Sequence, residues 1–421
     1  TIPTRRTLHS GRRAYPFGSY DPVSWDNVYI PGWQPMARDE STVAEALAAS
    51  GYHTGFVADV PHYFVPDMNF TRGFHQWRFV RGQSEDRLNS PAAADEALLS
   101  RYRGNENRIR SHLVNVRPQQ PEEDWTTART FRHAARFVED NAGRAEPFYL
   151  YVDSFTPHET WEAPQHLFRL YGDADKREPI CLNVPYGPVA DHPEYKERLP
   201  SIRAEYAGLV TLVDRWFGHL LDTIDRLQLT QNTVVLFVAD HGTNFGDNAD
   251  GVMGKPANYM YPGTMSVPML LRLPGGAGAG SVSDEFVTTT DVPSTVLAAA
   301  GTESVGRIDG HSLLPLATAG AFVSREYVTC RYVNSLWYRD DSTWCFGDIT
   351  GTSDLSLANP RVFDLKTDPE CTTNIASRAA DRIALAVARL REDAAGQPIQ
   401  AFHRQDATDA IGRPVFDTDH P

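Results

Sequence analysis

The 421-residue sequence lacks a basic excess, because 40 lysines and arginines face 54 aspartates and glutamates, a formal net charge of −14. A nucleic-acid-binding protein needs a basic face that displaces the counterions of the phosphate backbone, so we expect no nucleic-acid partner. The charge does not exclude a small anionic substrate. A local cluster of arginine, lysine, histidine and metal can invert the electrostatic field inside one pocket.

Long apolar runs and closely spaced cysteines are also missing. No apolar stretch approaches the roughly 18 residues that span a bilayer, so we expect no membrane partner and a soluble protein. The compartment is left open, with the cytoplasm favoured. Cys181, Cys330, Cys345 and Cys371 show no CxxC spacing, which argues against a zinc-thiolate site or a disulfide framework. A Cys330–Cys345 disulfide stays open for an oxidising compartment. The chain starts in what reads as the middle of a motif, so a signal peptide cannot be assessed.

The first three quarters of the chain alternate helix-like and strand-like segments, the pattern of a mostly parallel sheet flanked by helices. A capping box at Thr42 and Glu45 starts one helix, and Gly51 ends it. Apolar residues at spacings of three and four predict a long helix over 203–227. We also predict strands at 53–59, 147–153, 234–239 and 267–274, a helix at 125–141, and a short helix that Asp291 caps and Gly301 ends. The strand over 147–153 is apolar enough to be buried on both faces.

Beyond about residue 319 the pattern changes to short β-rich runs, followed by one helix over about 374–394. This pattern predicts a smaller α+β domain with an antiparallel sheet. We therefore expect a catalytic domain over 1–318 and a C-terminal subdomain over 319–421.

Polar residues follow three of the predicted strands, at the position where open α/β sheets bind ligands. Asp240 and His241 end one strand, and His158 and His62 follow two others. A single histidine of this kind is more often a structural residue, but three after three strands predict a site rich in imidazole and carboxylate. Such a site suits an anionic leaving group and a divalent metal, with calcium, magnesium, manganese and zinc all left open.

The loop after Asp240 is rich in glycine and carries two further candidates. Lys255 has small neighbours that let a substrate approach, although most lysines with this spacing are only solvated. Asp247, Asn248 and Asp250 are spaced like part of a calcium loop. They lack the glutamate at the twelfth position of an EF-hand, so we discount a calcium loop here.

The first 13 residues, TIPTRRTLHSGRR, concentrate hydroxyl and guanidinium groups. Pro3 near a helix start places the Thr1 hydroxyl at the helix N-terminus, where the dipole and the N–H groups stabilise an alkoxide or a bound oxyanion. Arg5 and Arg12 offer planar forks that suit sulfate or phosphate. The alternative is a basic, disordered start of the chain.

These residues resemble the sulfatases of the alkaline phosphatase superfamily. Their motif runs Cys or Ser, x, Pro, x, Arg, four residues, then Thr-Gly-Arg, and Thr1, Pro3, Arg5 and Ser10-Gly11-Arg12 match that spacing. The resemblance continues in order through TVAEALAASGYHTGFV, DSFTPHETW, VVLFVADHG, GKP, TTTDVPSTVLAAAG, DGHSLLPL and RVFDLKTDPECTTNIA. It covers nearly the whole chain and implies an alkaline-phosphatase-like α/β fold.

The resemblance implies roles for the matching residues. Thr1 stands at the nucleophile position and contributes to the metal site with Asp240 and His241. Arg5 steadies the nucleophile and the bound anion, and Arg12 supports the loop from behind.

Three further residues are implied to meet the substrate. His158 and Lys255 contact the sulfuryl or phosphoryl group and its leaving oxygen. His62 lies near the family's Lys-x-His segment, although Asp59 and Pro61 stand where that segment has its basic residues.

The chain departs from the family in two ways. Sulfatases oxidise Cys or Ser at the first position to formylglycine, and threonine cannot give that aldehyde, so we do not expect formylglycine. Thr1 resembles the nucleophile of nucleotide pyrophosphatase/phosphodiesterases and phosphonoacetate hydrolases, which favours a phosphodiester, phosphonate or phosphomonoester. The family's first strand, with one or two Asp metal ligands, is absent from this sequence, and we expect a preceding segment to supply it.

Three functional hypotheses follow. The first is a divalent-metal hydrolase of small-molecule or glycan sulfate or phosphate esters that uses Thr1 as nucleophile. The second is a sulfuric ester hydrolase, acting on aryl or carbohydrate sulfates. The third is a non-catalytic binder of sulfated or phosphorylated glycans. A homo-oligomer is left open.

Overall fold

The structure is a computed structural model that describes residues 1–13, 33, 35–116, 121–173, 180–182, 184–303, 306–318, 320–350, 355–395 and 399. Its helices are, in chain order, α1 (Ile2–Ser10), α2 (Val43–Ala49), α3 (Glu106–Val116), α4 (Thr126–Asn141), α5 (Gln165–Phe168), α6 (Pro193–Lys196), α7 (Leu199–Arg226), α8 (Pro262–Met265), α9 (Asp291–Ala299), α10 (Leu314–Ala317) and α11 (Ala380–Asp393).

The strands are, in the same order, β1 (His53–Ala58), β2 (Gln76–Phe79), β3 (Tyr102–Arg103), β4 (Phe148–Asp153), β5 (Ile180–Cys181), β6 (Gly187–Pro188), β7 (Val235–Val238), β8 (Asn244–Phe245), β9 (Val252–Gly254), β10 (Met269–Arg272), β11 (Val328–Tyr332), β12 (Ser335–Arg339), β13 (Thr343–Thr350) and β14 (Ser356–Asp364).

The contacts divide the chain into two compact units. The first unit contains residues 1–43, 186–191 and 235–421, and the second contains residues 44–185 and 192–234. Neither unit ends at residue 318, so the expected boundary between a catalytic domain and a C-terminal subdomain stays a prediction.

The second unit is built around a parallel sheet of order β2-β1-β4. Helix α4 packs on β1, and a Cβ atom at Gly55 would lie 2.3 Å from the Phe137 ring, so only glycine admits the helix at this distance. The long helix α7 packs on α4 through its apolar side. Helix α7 begins at Leu199, four residues before the predicted start at residue 203. Pro200 fits the first turn, because the N–H that proline lacks has no helical partner there.

The first unit carries the antiparallel part of the fold. Strands β11 to β14 form a meander in which each strand pairs with the next, and α11 packs on it. Its core contains Trp344, Phe346 and Phe363, and the indole of Trp344 donates to the carbonyl of Met260 at 2.8 Å. The predicted α/β class, with a parallel sheet, helices and a C-terminal antiparallel sheet, is confirmed.

Several details of the prediction were wrong. Strand β4 is half-buried along its length rather than fully buried, because among the described residues only β1 pairs with it. Asp291 is the first residue of α9 rather than its cap. The last helix starts at Ala380, after a 3₁₀ turn over Ala376–Arg378. In the described ranges the four cysteines form no disulfide. No helix there combines the length and the apolar run of a membrane span.

The Asp291 carboxylate ties α9 to the segment that precedes β11. Arg325 donates to Oδ1 at 2.6 Å and to Oδ2 at 3.0 Å, a bidentate pair, and the backbone N–H of His311 donates to Oδ1 at 2.7 Å. Asp291 is fully buried. A buried carboxylate needs such partners, since its desolvation is otherwise uncompensated.

We therefore predict that Arg325→Met lowers the free energy of unfolding by about 3 kcal/mol, because it leaves the buried Asp291 carboxylate without its counter-charge. The control is Arg307→Met, which removes an arginine that is 69% exposed and pairs with Asp309. An exposed pair of this kind contributes less than about 1 kcal/mol. Urea titrations of both variants measure the difference, and equal losses would contradict the prediction.

Candidate active site

Helix α1 places Thr1 at its N-cap position. The Thr1 carbonyl accepts the first helical hydrogen bond from the Arg5 N–H at 3.1 Å, and Pro3 lies in the first turn. The Thr1 hydroxyl does not cap the helix; it lies 3.3 Å from the Thr4 hydroxyl oxygen. The helix ends at Gly11, whose φ of 73° favours glycine. A threonine hydroxyl thus lies at the positive end of the helix dipole.

Arg5 links helix α1 to Asp240, which lies two residues after the end of strand β7. Its guanidinium is buried, and Nη1 donates to Oδ2 of Asp240 at 2.5 Å. The backbone nitrogen of Thr1 contacts the same oxygen. Burial alone would raise the pKa of Asp240, but the charge of the Arg5 guanidinium outweighs it and holds that pKa well below its usual range. Asp240 is therefore a carboxylate across the physiological pH range.

His241 lies beside this carboxylate as a neutral imidazole. Burial lowers its pKa to about 3 against the opposing charge of Asp240. Nδ1 lies 2.9 Å from the Gly242 carbonyl oxygen and must carry the proton to donate there, so Nε2 has the lone pair. Nε2 is 3.5 Å from Oδ2 of Asp240. An imidazole nitrogen and an ionised carboxylate oxygen therefore lie side by side.

Lys255 comes directly after strand β9, and its ammonium lies 5.1 Å from the centre of the Tyr186 ring. Gly254 has a φ of 75°, and a Cβ atom there would lie 2.3 Å from Tyr186. Only glycine accommodates both the conformation and the aromatic ring. The Lys255 charge also contributes to the low pKa of His241, so the structure brings these two predicted residues near each other.

Arg12 lies just past the end of α1. Its Nε donates to the Arg307 carbonyl at 3.4 Å, and the Gly11 carbonyl accepts from the Asp309 N–H at 2.9 Å. These contacts hold the end of α1 against the segment around residue 308. That placement agrees with the predicted supporting position of Arg12, whose role stays a prediction.

His62 and His158 belong to the second unit, where both follow the carboxyl ends of parallel strands. The Phe155 ring lies 4.1 Å from the His158 ring and 6.3 Å from the His62 ring, measured between centroids. Nδ1 of His158 is 2.7 Å from the Glu159 carbonyl oxygen, and Nε2 of His62 is 3.7 Å from a Glu85 carboxylate oxygen. The structure thus brings the two histidines to one aromatic neighbour.

Sequence reasoning missed the part that Asp59 plays in this arrangement. Asp59 is fully buried, and its Oδ1 accepts from the Phe155 N–H at 2.6 Å. It therefore fixes the backbone of the residue whose ring contacts both histidines. Burial raises its pKa to about 6 against the hydrogen bonds from Phe155 and Thr126. The available signal was an aspartate at the carboxyl end of an apolar strand: Asp59 directly follows β1, and Asp153 is the last residue of β4.

The donors of Asp240 and His241 are of the types that bind a divalent metal. An ionised carboxylate and a neutral imidazole whose other nitrogen is held by a backbone carbonyl fit two positions of a coordination shell. Within the ranges that the structure describes, no group of three or more His, Cys, Asp or Glu residues gathers as a metal shell. The described residues therefore fit part of a metal site and do not complete one.

The family model described as Sulfatase matches residues 1–302. The chain belongs to the sulfatase family. A relative, the multifunctional alkaline phosphatase superfamily protein PehA of Trinickia caryophylli, is 26% identical over 274 residues, which is 56% of this chain and 52% of that protein. The chain thus spans about half the length of the curated relatives that lead the comparison.

Two solved structures share the fold of this sulfatase-family chain. Phosphonate monoester hydrolase from Silicibacter pomeroyi is 19% identical, with a TM-score of 0.67 over 99% of this chain and 90% of that one. A protein solved in complex with its substrate D-glucosamine-2-N,6-O-disulfate is 15% identical, with a TM-score of 0.67 over 96% and 90%. The family and the alkaline-phosphatase-like fold implied by the sequence motifs are confirmed. Enzymes of the sulfatase family generally use a divalent metal ion.

The burial of Asp59 generates a pH prediction. Its folded-state pKa of about 6 lies above the ordinary value of 3.8. The folded protein therefore binds the proton more tightly than the unfolded chain, and its stability declines as pH rises from about 4 through 6. Asp59→Asn removes this titration. We expect the stability of the unchanged protein, relative to the variant, to fall by about 2 kcal/mol between pH 4 and pH 7.

Urea unfolding at several pH values checks this expectation. Asp140→Asn is the matched control, because Asp140 is an exposed aspartate on α4. Its curve should run parallel to that of the unchanged protein. A parallel curve for Asp59→Asn as well would show that Asp59 titrates normally.

Proposed function

We propose that this protein hydrolyses esters of phosphoric or phosphonic acid with Thr1 as its nucleophile. The observation that supports this most is the arrangement at the start of α1. There the Thr1 hydroxyl lies at a helix N-terminus, one turn before a buried arginine that contacts Asp240 at 2.5 Å. A helix dipole and a guanidinium both stabilise the charge that develops on the oxygens of the transferred group.

The reaction would proceed in two displacements. The Thr1 Oγ1 gives up its proton and attacks phosphorus while the bond to the leaving oxygen breaks, and that oxygen takes up a proton. The resemblance to the sulfatases assigns the contact with the leaving oxygen to His158. Water then attacks the phosphothreonine and releases the acid and the Thr1 hydroxyl. Arg5 and Lys255 would hold the non-bridging oxygens through both steps, with His62 and Arg12 in supporting positions.

A divalent metal would be held by Asp240, His241 and Thr1. When bound, such an ion neutralises charge on the phosphoryl oxygens and favours the alkoxide form of a hydroxyl. Calcium, magnesium, manganese and zinc all match a carboxylate and an imidazole donor.

A sulfate ester is the second candidate substrate. Membership of the sulfatase family favours it, as does the sulfated glucosamine bound as substrate by a protein of the same fold. Against it stands Thr1, because the hydrate of formylglycine eliminates sulfate easily and a sulfated threonine does not. A third candidate, a binder of sulfated or phosphorylated glycans without turnover, would have no use for a nucleophile beside Asp240 and His241.

The nucleophile is tested with Thr1→Ala. We expect turnover of 4-nitrophenyl phosphate, phenyl phosphonate or a bis-ester phosphate to fall by about 10³-fold or more, because the attacking oxygen is removed. Thr4→Ala is the matched control, since it deletes the hydroxyl 3.3 Å away and should leave turnover within a few-fold. Turnover of 4-nitrophenyl sulfate that survives Thr1→Ala would exclude the threonine mechanism. Metal binding with no turnover of any ester would favour the binder.

Metal dependence is tested by chelation. After dialysis against a chelator we expect turnover to disappear and to return with one of the four ions. His241→Ala and Asp240→Asn should lose most of the bound metal, measured directly by elemental analysis. Asp247→Asn, an exposed carboxylate on the same loop, is the control and should keep it. Full turnover in the chelated protein, or full metal content in Asp240→Asn, would contradict the proposed ligands.

A further inference from the structure

The His158 imidazole faces two acceptors that both belong to the next residue, Glu159. Its Nδ1 lies 2.7 Å from the Glu159 carbonyl oxygen and 3.0 Å from Oε2 of the Glu159 carboxylate. The His158 side chain is 23% exposed, whereas the Glu159 side chain is only 4% exposed. A histidine that solvent can reach thus contacts a carboxylate that solvent hardly reaches.

The two acceptors act on the imidazole in different ways. Nδ1 must carry a proton to donate to either of them, so Nε2 is the nitrogen that exchanges a proton with water or with a ligand. The neutral carbonyl holds the ring in this orientation whether Nε2 is protonated or not. The carboxylate also carries a charge, which favours the imidazolium over the neutral ring, and little water is present at a buried site to screen that charge.

The segment that carries the two residues is anchored on both sides of them. The indole of Trp161 donates to the Pro157 carbonyl at 3.0 Å, and the backbone N–H of Ala163 donates to Oε2 of Glu205, on α7, at 2.7 Å. Trp161 and Glu205 are both buried. Because these contacts already fix the backbone, the carboxylate and the imidazole keep their separation at a small further cost in entropy.

We propose that Glu159 is a positioning residue whose carboxylate keeps His158 protonated, so that Nε2 can donate a proton to the leaving oxygen. This inference rests on the proposed function, in which that oxygen takes up a proton. The family resemblance in this segment assigns a role to His158 and none to Glu159. A carboxylate that supports a histidine through the nitrogen remote from the reaction is a recurrent arrangement in proton transfer.

The protons balance over the two displacements. In the first, the Nε2–H bond breaks and its proton forms the O–H bond of the leaving alcohol, while His158 becomes neutral and Nδ1 keeps its proton. In the second, the attacking water transfers a proton to Nε2 and restores the imidazolium, and the Thr1 oxygen takes back from solvent the proton that it gave up. Glu159 stays ionised throughout.

Other titratable groups lie in the elements packed around this pair. On α7, burial and then the charge of Glu159 raise the pKa of Tyr206, so this phenol is neutral. Asp59, whose pKa is about 6, contacts the Phe155 N–H and titrates in the range where a histidine titrates. Three more groups are Glu205, His62 and Glu85. The Asp59→Asn variant separates the titration of Asp59 from that of His158.

The test follows the histidine ring signals of the full chain by NMR as pH is varied, and His158→Gln identifies the signal of His158. In the unchanged protein its titration midpoint should lie above about 6.5, the ordinary value for histidine. In Glu159→Gln the midpoint should fall by about one pH unit or more, since the charge is lost while the carbonyl remains. Asp59→Asn should leave the midpoint nearly where it was.

Glu162→Gln is the matched control. Glu162 is a half-buried carboxylate of the same segment, but it pairs with Nε2 of His112 at 2.7 Å and accepts from the Tyr102 hydroxyl at 3.0 Å. Its loss should leave the His158 midpoint within about 0.3 pH units. Glu159→Asp keeps the charge but retracts it, so its midpoint should lie between those of Glu159→Gln and the unchanged protein. Circular dichroism checks the fold of each variant.

A kinetic measurement distinguishes proton delivery from structural support. The 4-nitrophenolate ion leaves readily without a proton, whereas phenolate depends on one. We expect Glu159→Gln to lower kcat for phenyl phosphate at least about tenfold and kcat for 4-nitrophenyl phosphate by less than about threefold. The loss with phenyl phosphate should shrink as pH is lowered, because His158 then regains its proton. A variant that only loosened the fold would affect both esters alike.

Four results would each overturn the proposal: a His158 midpoint below about 6.5, an unchanged midpoint in Glu159→Gln, an equal fall in Glu162→Gln, or equal losses with the two esters. If Glu159→Gln does not fold, the midpoints of the unchanged protein and of Glu159→Asp still decide. The midpoint is measured without substrate, so this proposal can fail while the Thr1 mechanism stands. Conversely, Thr1→Ala should leave the His158 midpoint unchanged, whatever it does to turnover.

Discussion

The ion pair between Arg5 and Asp240 is the contact on which the candidate active site of the first unit depends. It joins the first turn of α1 to the end of β7 across 235 residues of sequence. Each charge would be costly to bury alone, and together they compensate much of each other's desolvation. The pair keeps Asp240 ionised, while burial keeps His241 neutral beside it. These are the protonation states in which both groups can bind a metal.

In the second unit the buried carboxylate of Asp59 supports the backbone. Asp59 is buried just after the end of β1, and its Oδ1 accepts from the Phe155 N–H, which fixes the start of the segment that carries His158. The family's motif has a basic residue at this position. In this chain the aspartate at that position supports the backbone through its hydrogen bond from the Phe155 N–H.

The elements that were predicted well have strong local patterns. Helix α4, strand β1 and the antiparallel strands β11 to β14 follow from apolar periodicity, caps and turn residues, which act over a few positions. Strand β4 was predicted at the correct place, but its burial was overestimated. The composition of a strand does not reveal whether other strands pair with it on both sides. Asp291 was taken for a cap on local grounds, whereas its real partner, Arg325, is 34 residues away.

The sequence by itself determined the family, the order of strands and helices, and the residue types that gather after the strands. Spacing within a motif of 12 residues and periodicity within one element are local properties, so they can be read without coordinates. Only the tertiary structure decided which polar groups meet: Arg5 with Asp240, Asp59 with Phe155, and Asp291 with Arg325. The hydrophobic pattern of an element shows that one of its faces is covered, but it does not show which other element covers that face. These partners become neighbours only when distant strands and helices pack.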